Sequence, residues 1–377
     1  MKIVVLDGYT ENPGDLSWDG FRELGDVTVY DRTPKELVCE HIADAEVVFT
    51  NKTILTRQMI ESDSKLRFIG TLSTGYNTVD LDAASERKIP VSNIPNYSTQ
   101  AVAQLTMALL LEICHHVGAH SEQVLQGKWS ECPDFCFWSY PTMELTGKTI
   151  GIIGFGSIGQ AVARLAEAFG MNVVAYGHRG IPKERLFGNV RAVSLEELYE
   201  TSDIISLHCP LTKENQKMID KDSIAKMKDG VILLNTARGP LVCESDLADA
   251  LKSGKVSCAA MDVVETEPIP KDSVLLTAPN VIITPHIAWA PRESRERLMK
   301  IAVENLRAAR DQAGHGWLGL DIGPTGRLLA PMGDLDFDEA RTAFAETVQA
   351  GAAAGADAVV IETMTDLYEA KAALLAE

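Results

Sequence analysis

Thr149-Ile150-Gly151-Ile152-Ile153-Gly154-Phe155-Gly156-Ser157-Ile158-Gly159, continuing into AVARLAEAFG over 161–170, is the stretch whose reading decides the fold. An apolar run of strand length meets a glycine loop, and apolar residues at helical spacing follow. Each glycine has a physical use in that order of elements. Gly154 permits a tight turn, and Gly156 lets main-chain N–H groups approach a pyrophosphate. Gly159 lets the helix pack closely on the strand, and the phosphates would lie at the positive helix N-terminus, where Ser157 and Ile158 stand. Glycines so spaced also serve tight packing with no ligand. Their place at a strand-to-helix junction favours a dinucleotide.

The next strand candidate, Val173 to Tyr176, leads into Gly177-His178-Arg179. A site for NAD usually places Asp or Glu there to bind the ribose 2′-hydroxyl. No carboxylate stands at that point. His178 and Arg179 suit a 2′-phosphate, and they suit an ordinary solvated loop equally. Both NAD and NADP therefore stay open as cofactors.

Outward from this unit the α/β pattern continues in both directions. Further strand candidates are Ile204 to His208, Val231 to Asn235, Ser257 to Met261 and Val281 to Thr284, giving six with the first two. Alternation with helical patterns predicts a doubly wound parallel sheet. The first ninety residues repeat the pattern, with apolar runs at Lys2 to Leu6, Val27 to Tyr30, Val47 to Thr50, Arg67 to Leu72 and Val91. Between the two series, STQAVAQLTMALLLEICHHVG over 98–118 predicts one long helix, with Ser98 at its N-cap and Gly118 ending it. A polar and aromatic arm, KWSECPDFCFWSYPTMELTGK over 128–148, follows. Phe135, Phe137, Trp138 and Tyr140 stand there with few charges between them, which predicts a homodimer contact.

Composition narrows the function classes. A net charge of −18 disfavours nucleic acid as a partner, and an anionic substrate would then need a local cationic site. No apolar run approaches the length of a membrane span, so no membrane partner is expected. Seven scattered cysteines without a Cys-x-x-Cys pair, and no secretory leader ahead of Ile3, predict a reduced, cytoplasmic protein. Cys132 and Cys136 form half of a zinc site at most, and no metal is expected. His115, His116 and His120 have helical spacing alone to recommend them and read as structural.

Three later segments carry the chemistry: Asn235-Thr236-Ala237-Arg238-Gly239, Met261-Asp262-Val263-Val264-Glu265-Thr266-Glu267-Pro268 and Thr284-Pro285-His286-Ile287. Each follows a strand candidate, where α/β sheets place their sites. With the glycine loop and Ser206-Leu207-His208-Cys209-Pro210-Leu211-Thr212, this set resembles the D-isomer-specific 2-hydroxyacid dehydrogenase family over Met1 to about Ala309. The stretch ITPHIAWAPRESRERL, FTNK at 49–52 and LLLEICHHVG look most like glycerate dehydrogenases, also called hydroxypyruvate reductases.

The resemblance implies a nicotinamide-dependent oxidoreductase, reducing hydroxypyruvate or glyoxylate to D-glycerate or glycolate. It implies that Arg238 holds the substrate carboxylate and polarises the keto oxygen, which would answer the charge problem. His286 would be the acid/base residue, with Glu267 fixing its tautomer and favouring its protonated form. Asp262 would orient the nicotinamide carboxamide. Thr106, His208, Pro210, Thr236 and Ala237 join the cofactor-contacting set, and Ser73, Thr74 and Gly75 the substrate loop. The implied architecture is a flavodoxin-like substrate domain, 1–97 plus 290–310, and a Rossmann domain, 98–289, that close on each other. A nucleotide-sensing binding protein on the same fold is the reading from a different class.

Beyond Ala309 the pattern breaks. Residues 319–377 alternate strand and helix candidates, with strands at Leu318 to Ile322 and Ala358 to Ile361 and helices at 337–354 and 365–376. The motifs GPTG, PMGDL and IETM resemble an internal piece of the homocysteine S-methyltransferase barrel. No cysteine follows Cys258 to supply that enzyme's zinc ligands. A partial, non-catalytic appendage is expected, with strands lacking their barrel neighbours.

Overall fold

The computed structural model describes residues 1–313, 319–322, 336–353, 358–361 and 371. They form two compact units, one of Met1–Tyr97, Pro182–Glu184 and Arg295–Glu377, the other of Ser98–Ile181 and Arg185–Ser294.

In the first unit, β1 (Lys2–Val5), β2 (Asp26–Val29), β3 (Val47–Thr50), β4 (Phe68–Thr71) and β5 (Val91–Ser92) form a parallel sheet in the order β2-β1-β3-β4-β5. That is the flavodoxin-like order. Near-continuous apolar strands such as Val47-Val48-Phe49 are buried along their whole length, as a parallel sheet covered on both faces requires. Just past β1, the Asp7 carboxylate accepts the main-chain N–H groups of Asn51, Lys52 and Thr53, at 2.8, 2.6 and 2.7 Å, and so ties the end of β1 to the end of β3. A long helix spans Arg292–Ala313. From Arg295 onward it buries Leu298, Met299, Ala302 and Leu306 on one face. Arg295 grips both oxygens of Asp15, at 2.8 and 2.7 Å.

In the second unit, β6 (Thr149–Ile153), β7 (Asn172–Tyr176), β8 (Arg191–Ala192), β9 (Ile204–Leu207), β10 (Val231–Asn235), β11 (Val256–Met261) and β12 (Val281–Ile283) form one parallel sheet. Its order is β12-β11-β10-β9-β6-β7-β8. Strand order reverses at β6, the position where open α/β sheets bind ligands beyond their C-terminal edge. Two differences from the expected elements appear here. β8 is a seventh strand; its two exposed residues carry no apolar run to announce it. The long helix spans Thr99–His115 and then breaks, because His116 takes a left-handed backbone with φ 47°, and a second helix runs over Val117–Leu125. Gly118 therefore lies inside that second helix and caps nothing. Ser98 does occupy the N-cap position, without a side-chain capping bond. No single helix among the described residues is long and apolar enough to cross a membrane.

The strands β13 (Gly319–Ile322) and β14 (Ala358–Ile361) pair with each other in parallel. A helix at Phe337–Ala353 joins them in sequence. Lys371 apart, the helix expected at 365–376 lies outside the described residues, as do the motifs GPTG and PMGDL and all of IETM but Ile361.

Glu11 is fully buried beside Asn51, accepts the Thr10 hydroxyl at 3.0 Å, and lies near the Asp7 carboxylate. Burial, and then the Asp7 charge, push its carboxyl up to about 8. The folded chain thus holds a proton that the unfolded chain loses in the ordinary carboxylate range, so this group's contribution to stability declines as pH rises toward 8 and is level beyond. Glu11→Gln should flatten the decline in melting temperature across that window. An identical slope in both proteins would contradict it.

Candidate active site

Because the second sheet is parallel, every strand ends on the same edge, and the chemistry-bearing segments follow those ends. Gly154 follows β6 with φ 97°, and a Cβ there would come within 2.5 Å of the Cys209 nitrogen. The turn therefore requires glycine, both for its dihedral angle and for its contact with the end of β9. At Gly159 a Cβ would come within 2.2 Å of the Gly154 carbonyl, so helix Ser157–Ala168 sits too close to the loop for any side chain. A Cβ at Gly156 would meet nothing within 4 Å. That opening lies at the exposed N-terminal turn of a twelve-residue helix, where Ser157 and Ile158 begin the run. One step away, His208 follows β9. Burial drives its imidazole down to about 3, Nε2 meets the Ser206 hydroxyl at 2.8 Å, and Nδ1 is buried without a partner. An open glycine approach, a helix N-terminus and an unsatisfied nitrogen fit a dinucleotide phosphate and its neighbouring groups.

Beyond β7, Gly177 and Gly180 close a turn, with a 2.9 Å bond from the Gly180 N–H to the Gly177 carbonyl, and His178 and Arg179 stand exposed on it. Pro210, also exposed, gives its carbonyl to Asn215. The Thr106 and Thr236 hydroxyls meet at 2.9 Å in the interior, joining the long helix to the end of β10.

The β10 end is organised by a residue that sequence reasoning passed over. Asn235 accepts the Ala237 N–H at 3.0 Å and donates to the Arg238 carbonyl at 2.9 Å, which fixes the turn carrying Arg238. Gly239 is demanded there as well, since a Cβ would collide with the Val264 carbonyl. The Arg238 side chain is exposed, bonds its own turn through the Ala237 carbonyl, and has no carboxylate partner among the described residues.

Asp262, 1% exposed at the end of β11, accepts the Thr284 hydroxyl at 2.6 Å and the Ile287 and Ala288 N–H groups at 2.9 Å each. Both its oxygens thus hold the loop that carries His286. The His286 Nδ1 meets a Glu267 oxygen at 2.6 Å, and the other Glu267 oxygen accepts the Val264 N–H at 3.3 Å. With Nδ1 engaged, Nε2 is the ring nitrogen left for proton exchange.

In the first unit, Ser73, Thr74 and Gly75 follow β4. Thr74 donates to the Ile94 carbonyl at 3.0 Å, and Asn93 donates to the Thr74 carbonyl at 2.8 Å. Among the described residues no acceptor takes the N–H groups of Thr74, Gly75 and Tyr76. His116 sits at the helix break, and His120 bonds the His115 and His116 carbonyls and the Ser139 N–H. Cys132 bonds the Cys136 carbonyl.

Residues 107–288 match the model of the D-isomer specific 2-hydroxyacid dehydrogenase NAD-binding domain. A hydroxypyruvate reductase of Blautia hydrogenotrophica is 57% identical over 309 residues, which are 81% of this chain and 96% of that protein. The chain belongs to the D-isomer-specific 2-hydroxyacid dehydrogenase family. Among solved structures, an acyclic imino acid reductase in complex with NADPH and D-Arg superposes with TM-score 0.72 at 32% identity, covering 83% of this chain and 98% of that one. A D-lactate dehydrogenase with NAD+ from Lactobacillus jensenii superposes with TM-score 0.67 at 28% identity, covering 82% and 97%. The family member described here is an NAD(P)-dependent oxidoreductase acting on small 2-keto/2-hydroxy acids. Residues 281–377 also match the homocysteine S-methyltransferase model.

Gly159→Ala should cost about 1–3 kcal/mol of stability, because the methyl group can be placed only by moving the loop or the helix. Nucleotide affinity, read by quenching of intrinsic fluorescence, should fall with it. Unchanged melting and affinity would show that the loop has room the structure denies it.

Proposed function

We propose that this enzyme reduces hydroxypyruvate or glyoxylate to D-glycerate or glycolate, with His286 as proton donor. The observation that carries the reading is the His286–Glu267 pair at 2.6 Å, on the same sheet edge as the uncompensated cation Arg238. The hydroxypyruvate reductase that is 57% identical supports the choice of hydroxypyruvate. When bound, the nicotinamide nucleotide supplies the hydride that reduces the carbonyl carbon. Arg238 pairs with the substrate carboxylate and draws electron density toward the keto oxygen. His286 gives its Nε2 proton to that oxygen as charge develops on it, and Glu267 stabilises the imidazolium from the Nδ1 side. In the oxidation direction His286 takes the proton back. Asp262 fixes the loop and would orient the nicotinamide carboxamide. Residues 98–289 bind the nucleotide through Gly154, Gly156, Ser157, Ile158 and Gly159, assisted by Thr106, His208, Pro210, Thr236 and Ala237. His178 and Arg179 bear on the ribose. Residues 1–97 and 290–310 form the substrate domain, whose Ser73-Thr74-Gly75 loop offers N–H groups to a carboxylate, and 319–377 form an appendage outside this chemistry.

The chain also pairs with a second copy of itself. Phe135, Trp138 and Leu125 are 89%, 70% and 85% exposed, apolar side chains that a second copy would cover. Sedimentation at micromolar concentration should give a dimer; a monomer would contradict the assignment.

His286→Ala should lower keto-acid reduction by roughly two to four decades while nucleotide affinity changes little. Measured over a panel of 2-keto acids with NADH and NADPH, near-wild-type turnover in the variant would remove His286 from the mechanism.

A further inference from the structure

The residue bearing the catalytic imidazole has a left-handed backbone, with φ 56° at His286. A non-glycine residue keeps that conformation only where its surroundings enforce it. Asp262 is one such enforcer, through the N–H groups of Ile287 and Ala288. The second is Trp289, whose indole Nε1–H donates to the His286 carbonyl at 2.9 Å. The His286 carbonyl and the Ile287 N–H belong to a single peptide plane. Asp262 holds one end of that plane and Trp289 the other, so its rotation is blocked from both sides. The His286 N–H completes the arrangement by donating to the Thr284 carbonyl at 3.0 Å. Every polar group of residue 286 except Nε2 is then engaged.

We infer that Trp289 is a positioning residue, whose indole N–H locks the peptide plane following His286 and thereby aims Nε2 at the substrate oxygen. The inference rests on the reading of His286 as proton donor. Without the indole bond, one end of the plane is free to rotate. The Nδ1 contact with Glu267 then has to hold a ring whose root is loose, and productive geometry is populated less of the time.

Trp289→Phe keeps an aromatic ring and removes the donor. It should lower kcat about ten-fold, in proportion to one hydrogen bond realised at the proton-transfer geometry, with the KM for keto acid and the Kd for nucleotide nearly unchanged. Benzothienylalanine at 289 replaces the indole N–H by sulfur and keeps the bicyclic shape, so it carries the test if the Phe variant folds poorly. The decisive readout is the double variant Trp289→Phe with His286→Ala, which should be no slower than His286→Ala alone, because Trp289 acts through His286. An unchanged kcat on removing the donor, or an additive loss in the double variant, would overturn the inference. His286→Ala at wild-type rate would instead overturn the underlying reading of His286, so the two failures are distinguishable.

Discussion

Asp262 is a buried carboxylate whose two oxygens accept three hydrogen bonds from the 284–288 segment, and the geometry of the site follows from that constraint. Leaving such a buried group without its donors costs about 1–3 kcal/mol, so strand end and loop specify each other. The loop can supply three donors only by turning sharply after Pro285. That turn puts His286 in a left-handed conformation and presents its ring to Glu267. Glu267 in turn is anchored by the Val264 N–H of the segment that leaves Asp262. One buried carboxylate thus orders the His286–Glu267 pair from both sides.

The same logic of strand ends supplies the rest of the site. All seven strands of the second sheet run parallel, so β6, β9, β10, β11 and β12 release their chains at one edge, and the reversal of order at β6 opens that edge to a ligand. Close packing then dictates where glycine must stand. Gly154, Gly159 and Gly239 each occupy a place where a Cβ would strike backbone, whereas Gly156 faces open space. Steric necessity therefore explains three of these glycines, and the fourth leaves room for the proposed nucleotide contact. On a chain of net charge −18, the Arg238 guanidinium has no carboxylate partner among the described residues, as the proposed binding of an anionic substrate requires.

Much of this was legible in the sequence, because buried parallel strands are short apolar runs and the glycine loop has a fixed order of elements. Val47–Thr50, Thr149–Ile153 and Val231–Asn235 form where they were expected, to the residue. β8 was invisible because two exposed residues, Arg191 and Ala192, have no apolar pattern. The break at His116 was hidden because apolar spacing continues across it, and Gly118 was the more obvious terminator by composition. Asn235 and Trp289 were missed for a different reason. Their contributions are hydrogen bonds to the main chain of residues two or three positions away, and no periodicity or charge pattern encodes such a bond. A polar or indole donor close to a catalytic residue in a tight turn is the only available signal.

If the 284–288 loop, pinned by Asp262, delivers the His286 Nε2 proton to the substrate oxygen, a crystal structure with oxidised nucleotide and an unreactive 2-keto-acid analogue should place the analogue's oxygen about 3 Å from His286 Nε2, its carboxylate on the Arg238 guanidinium, and Nδ1 still on Glu267. An analogue bound with its oxygen on another donor, and with His286 Nε2 turned away from it, would contradict that proton transfer.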